Sequence, residues 1–133
     1  MEKKYTTTAV NDTKIRDTTR IEGGMELKMT SPLRDTSGSN PEQTIGIAWA
    51  TCFNMTLKQI LNAKGLDTDS KVSVEVNLMK EGVGYYFEMI ATVAIDGMSL
   101  EDTDYYADLA HHRCPVSKLI SSNPHVHVKS ETY

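Results

Sequence analysis

The segment from Asn40 to Gly65 constrains this chain more than any other. Asn40 suits an N-cap, Pro41 suits the first helical position, and Glu42 favours the positive end of a helix dipole. Gly65 supplies a C-terminal stop, so the pattern predicts one helix running to about Lys64. Its middle, Ile45 to Phe53, is nearly free of polar side chains. A helix that is apolar all round must be buried on all sides. One small domain rarely surrounds a helix of this length, so either sheets wrap it or a second subunit covers it.

The flanking segments supply the strands. Tyr5 to Val10 and Met25 to Met29 alternate well enough to be strands, with Gly23-Gly24 as a turn and Thr36 to Ser39 as a loop. After the helix, Val72, Val74 and Val76 alternate with Ser73, Glu75 and Asn77. Tyr85 to Ile95 is rich in aromatic and branched residues, and Glu81 to Gly84 joins the two as a hairpin. Ser99 with Asp102 forms a capping box for a helix through about His112. Pro115 breaks the chain near Cys114, a short helix follows to about Ile120, and Val126 with Val128 marks a last strand. The expected class is α+β, a single domain over 1–133, with antiparallel strands wrapped around a long buried central helix.

Composition narrows the function. The net charge is -4, and the Lys and Arg residues are scattered rather than clustered, which argues against a nucleic-acid partner. No apolar run reaches the roughly 18 residues of a membrane span. The start, MEKKYTTTAV, has no apolar core of a secretory signal, and a cytoplasmic protein is expected. Cys52 and Cys114 are the two cysteines. In a reducing compartment a structural disulfide is not expected, and two buried spectator thiols are the plain alternative to a chemical role.

Local context bears on that choice. Cys52 lies mid-helix in AWATCFNM, where positions 48, 49, 55 and 56 are Ala, Trp, Met and Thr. Burial alone raises a thiol pKa, so a reactive Cys52 needs a cation from elsewhere, with Arg16, Arg20 and Arg34 as candidates. Cys114 lies in HHRCPVSK, between two helices, a setting that suits an accessible thiol. His125 and His127 share a strand face, and His111 and His112 precede Cys114. No standard zinc spacing links these residues, so a solvated or interface surface is expected for the histidines and no metal is assigned. Trp49 and the methionines read as core, and Glu101, Asp102 and Asp104 as a solvated helix start.

Two motifs carry a resemblance. SNPEQTIGIAWATCFNMTL is similar to the central helix of the osmotically inducible protein C and organic hydroperoxide resistance (OsmC/Ohr) family, with Glu42 and Cys52 at the family's interval. HHRCPVSKLI resembles the family's second signature, a Cys-Pro followed by a short helix. The order of elements agrees over most of the chain and least over the first 39 residues. The resemblance implies an OsmC-like fold and a cysteine-based peroxidase that reduces organic hydroperoxides. Cys52 would be the peroxidatic thiol and Cys114 the resolving one. Glu42 would be the family carboxylate and Arg16 the arginine paired with it, Arg20 being the second choice. The resemblance implies no bound cofactor. It implies an external dithiol, typically a dihydrolipoyl group on a lipoylated protein, as reductant. Trp49, Phe53 and Met55 would supply an apolar setting that favours alkyl peroxides.

Helix geometry then bears on assembly. Residues ten apart on one straight helix are separated by about 15 Å along the axis and about 80° around it. Glu42 and Cys52 therefore meet only if the first turn breaks away or if Glu42 serves a partner chain. Together with the apolar girth of Ile45 to Phe53, this favours an intertwined homodimer with composite sites. The non-enzymatic alternative is a dimeric stress or small-ligand-binding protein of the same fold with inert thiols.

Overall fold

The computed structural model describes residues 1–133, which form two compact units, Met1–Pro41 and Glu42–Tyr133. The N-terminal unit is a three-stranded antiparallel meander of β1 (Ala9–Asn11), β2 (Thr18–Ile21) and β3 (Glu26–Lys28). The β2–β3 turn places Gly23 at φ 72, a left-handed conformation that favours glycine. A parallel bridge between Met29 and Ser39 closes the loop that follows. Two expectations change here. The first strand begins at Ala9 rather than Tyr5, and Thr18–Ile21 forms a central strand where none was expected. Thr18-Thr19-Arg20-Ile21 is half-buried throughout, so it shows no inside–outside alternation to betray a strand.

Helix α1 (Pro41–Ala63), which from Glu42 onward belongs to the second unit, is followed by β4 (Ser70–Glu81), β5 (Gly84–Ile95), α2 (Leu100–Arg113), α3 (Pro115–Ile120) and β6 (Val126–Ser130). Helix α1 ends as its sequence dictates. Gly65 stands at φ 75, its N–H bonds the Asn62 carbonyl, and the Leu66 N–H bonds the Leu61 carbonyl. β4 and β5 form a long hairpin in register from Ser70 opposite Ile95 to Glu81 opposite Gly84. β6 returns parallel to β5, with Met89 opposite Val126 and Val93 opposite Ser130. A parallel return requires a crossover, and α2 and α3 provide it.

Register decides which face is apolar. Val72, Val74 and Val76 oppose Val93, Ala91 and Met89, while Val126 and Val128 oppose Met89 and Ala91. All of these side chains share one sheet face and belong to the core with Trp49, Phe53, Leu57, Ile60 and Leu61 of α1. The spacing of 49, 53, 57, 60 and 61 is one helical stripe. Gly46 extends that stripe, and a Cβ there would lie 3.3 Å from the Val76 Cγ2, so its lack of a side chain lets α1 approach β4 closely. Within the second unit the sheet covers α1 along that stripe. Ile47 is 65% exposed and Met55 62%, on the side of α1 away from that stripe. The sheet is three strands wide and meets only one side of the helix.

Helix α2 starts where its capping residue stands. Ser99 is extended at φ -65 and ψ 159, and its Oγ accepts the Asp102 N–H at 3.1 Å. Glu101 and Asp102 lie in the first turn, and both are exposed. Replacing Ser99 with Ala leaves the Asp102 N–H without that acceptor. The substitution is expected to lower stability by about 1 kcal/mol. Urea denaturation would read this as a lower midpoint at an unchanged slope, and an unmoved midpoint would contradict the cap's role.

Candidate active site

Cys114 occupies the joint between α2 and α3 and serves both. Its N–H bonds the Ala110 carbonyl at 2.8 Å and closes α2. Its Sγ accepts the Ser117 N–H at 3.4 Å and its carbonyl accepts the Lys118 N–H at 2.9 Å, which opens α3. Pro115 fits the first position of α3 because no donor is needed there. The residue is fully buried. The expectation of an accessible thiol is therefore corrected: capping two helices draws the side chain inward.

A second buried bond fixes this joint to α1. The Trp49 Nε1–H donates to the Ser117 Oγ at 2.8 Å, and both side chains are fully buried. Trp49 lies one turn before Cys52 on α1. Phe53 stands beside it, with ring centroids 6.0 Å apart. His111 of α2 stacks on Phe53 at 5.9 Å and lies 6.3 Å from Trp49. His111 is thus half-buried in a ring cluster rather than solvated, and its Nδ1 is buried with no hydrogen-bond partner. Burial, and then the neighbouring His112, push its pKa below the ordinary 6.5, while Asp108 opposes them.

Cys52 is half-buried, and its thiol meets that of Cys114; both cysteines are unbridged. Burial pushes the Cys52 pKa up, the Val116 N–H draws it down, and the Cys114 thiol raises it further. None of these three influences is a positive charge. Thr56 Oγ1 donates to the Cys52 carbonyl at 2.9 Å, so the local helix remains intact. The structure therefore brings together two thiols that are 62 positions apart in sequence.

Glu42 and Arg16 are the other two sequence-derived site residues. Glu42 sits in the first turn of the same unbroken helix as Cys52, so the two are about 15 Å apart along its axis. One Glu42 oxygen, Oε2, is buried without a hydrogen-bond partner. Glu42 also borders an open groove of about 450 Å³ lined by Gly46, Ile47, Ala50, Val74 and Val76. Arg16 belongs to the N-terminal unit, in the exposed connection between β1 and β2, where its carbonyl accepts the Thr18 Oγ1–H at 3.3 Å. The next residue, Asp17, adopts φ 57. Arg20 is half-buried in β2, and Arg34 is exposed beyond β3. Trp49 and Phe53 face the core, whereas Met55 lies on the exposed side of α1, so the three do not form one apolar pocket. Trp49 and Ser117 are the partners that sequence reasoning did not pair.

The family model described as OsmC-like protein matches residues 34–129. The Organic hydroperoxide resistance protein OhrB of Bacillus subtilis is 31% identical over 97 residues, which cover 71% of this chain and 70% of that protein. Organic hydroperoxide resistance protein-like 2 of Staphylococcus epidermidis is 31% identical over 88 residues, and the match spans 62% of its length and 64% of this chain. Among solved structures, a Lactobacillus casei protein provisionally described as a redox protein superposes with a TM-score of 0.93. It is 31% identical, with 99% of this chain and 94% of that chain covered. The crystal structure of Bacillus subtilis OhrB gives a TM-score of 0.79 at 23% identity over 97% of this chain and 98% of that chain, a likeness of fold. The family model spans more than half of the chain, and the chain belongs to the OsmC-like protein family.

Proposed function

We propose that this chain is a two-cysteine thiol peroxidase that reduces organic hydroperoxides to alcohols. The observation that carries the reading is the contact between the Cys52 and Cys114 thiols in the reduced protein. The names of its relatives, organic hydroperoxide resistance protein and peroxiredoxin OsmC, point the same way. The Cys52 thiolate attacks one peroxide oxygen. The O–O bond breaks, the alkoxide leaves as alcohol after taking a proton, and Cys52 becomes a sulfenic acid. The Cys114 thiol then attacks the Cys52 sulfur. An S–S bond forms, the S–O bond breaks, and water leaves. An external dithiol, a dihydrolipoyl group on a lipoylated protein in this reading, returns both thiols and is itself oxidised to a disulfide. No bound cofactor is required. No helix is long and apolar enough to cross a membrane, and the reading places the cycle in the cytoplasm.

The site is completed by a second copy of the chain. Burial raises the Cys52 pKa, and a thiolate requires an opposing cation. Arg16 supplies that charge and Glu42 holds it in a bidentate pair, both from the partner subunit. Two observations support this assembly. Glu42 cannot reach Cys52 along its own helix, and one side of α1 leaves Ile47 and Met55 exposed. A two-fold axis would yield two such sites per dimer.

Three outcomes test the reading. Cys52→Ser is expected to abolish peroxide turnover with a lipoyl dithiol, while Cys114→Ser consumes about one equivalent of cumene hydroperoxide and stalls as a sulfenic acid. Steady-state activity in Cys52→Ser would refute the assignment. Arg16→Ala is expected to raise the Cys52 pKa further, because the thiolate loses its counter-charge. Iodoacetamide alkylation would then gain rate only at higher pH, and an unchanged profile would transfer the role to Arg20 or Arg34. Finally, Glu42→Ala and Cys52→Ser chains are each expected to be inactive alone and to regain activity when refolded together. Proven heterodimers without activity, or a monomer by light scattering, would rule out the shared site.

A further inference from the structure

The buried bond from the Trp49 Nε1–H to the Ser117 Oγ is not needed for any step written above. It joins the helix that carries Cys52 to the one that begins at Cys114. Trp49 is three residues before Cys52, and Ser117 is three residues after Cys114. Ser117 faces both ways: its hydroxyl accepts the indole N–H at 2.8 Å, and its backbone N–H donates to the Cys114 Sγ at 3.4 Å. Trp49, Cys114 and Ser117 are all fully buried, so no water competes for these partners. The Trp49–Ser117 bond stands beside the contacts that the Cys52 thiol itself makes with the Val116 N–H and the Cys114 thiol.

We infer that Trp49 and Ser117 are positioning residues for disulfide closure, holding the Cys114 sulfur against the Cys52 sulfur through the chain Trp49 Nε1–H, Ser117 hydroxyl, Ser117 N–H and Cys114 Sγ. The inference rests on the peroxidase reading and assigns these residues to its second step. In that step an electron pair of the Cys114 sulfur forms the S–S bond, the S–O bonding pair leaves with the hydroxyl of the Cys52 sulfenic acid, and the Cys114 thiol proton completes that hydroxyl as water. The step is an intramolecular reaction, so its rate depends steeply on how the two sulfurs are held. The first step involves Cys52 and an outside peroxide, and neither Trp49 nor Ser117 presents surface to solvent. The bond therefore serves closure and not peroxide attack.

Stopped-flow and quenched-flow mixing with one equivalent of cumene hydroperoxide separates the two steps. Peroxide consumption reads the first. The decay of sulfenic acid trapped by dimedone, with intact mass reading the disulfide, gives the second. Ser117→Ala and Trp49→Phe are each expected to slow closure by about 10- to 100-fold. Peroxide consumption is expected to change much less than closure, since Cys52 stays on an intact α1 and meets the peroxide without needing the Cys114 sulfur in place. The double variant is expected to slow closure no more than the worse single variant, because both remove the same bond. Ser117→Thr, which keeps the hydroxyl, is expected to close faster than Ser117→Ala. Circular dichroism establishes that each variant is folded, and Ser117→Ala, which deletes a single oxygen, decides the matter if Trp49→Phe does not fold. Closure at the wild-type rate in folded Ser117→Ala would overturn the inference, as would equal slowing of both steps. A wild-type protein that forms no sulfenic acid would instead overturn the peroxidase reading, and this inference with it. A wild type that completes both steps leaves the variants to judge the inference alone.

Discussion

The structure of the second unit depends on how Cys114 is held. Its backbone ends α2, its thiol and carbonyl begin α3, and Ser117 links the same joint to α1 through the Trp49 indole. A buried donor deprived of its acceptor costs about 1–3 kcal/mol, so the indole N–H strongly favours the arrangement that keeps Ser117 in place. The joint also sets the path of the chain. α3 leads back to β6, whose Val126 and Val128 complete the apolar sheet face beneath α1 and α2. The position of one thiol and the closure of the core are thus the same structural event.

That arrangement creates an electrostatic tension at Cys52. Packing the helix against the sheet brings the two sulfurs together, yet burial and the second thiol both favour the neutral form of the first. One unit of pKa is worth about 1.4 kcal/mol, and a single backbone N–H opposes the shift. None of the groups that set this tendency carries a positive charge. The exposed apolar side of α1, the groove beside it and the orphaned Glu42 oxygen are all features that a second chain would satisfy. In the proposed dimer, covering the apolar face and charging the thiol are achieved by the same contact.

Much of this was legible in the sequence wherever a local rule operates. Asn40-Pro41-Glu42 and Gly65 bracket α1 because caps and stops act over single turns. Ser99, the Glu81 to Gly84 hairpin and the break at Pro115 are local in the same sense. β2 escaped because its four residues are uniformly half-buried and carry no period. The burial of Cys114, the stacking of His111 on Phe53 and the pairing of Trp49 with Ser117 escaped for another reason. Each depends on a partner far along the chain, 68 positions away for Trp49 and Ser117, and no spacing rule reaches that far. The two motifs marked the cysteines, and the resemblance they carry supplied the roles proposed for them.

The central claim is that Cys52 and the Cys114 of its own chain close a disulfide after one encounter with peroxide. A direct measurement mixes reduced protein made with ordinary and with heavy nitrogen, lets the chains exchange partners, and adds one equivalent of cumene hydroperoxide. Non-reducing digestion and mass spectrometry then identify the linked peptides. The account predicts a Cys52–Cys114 peptide in which both halves carry the same isotope. Unlinked cysteines, or links that join a heavy half to a light half, would contradict it.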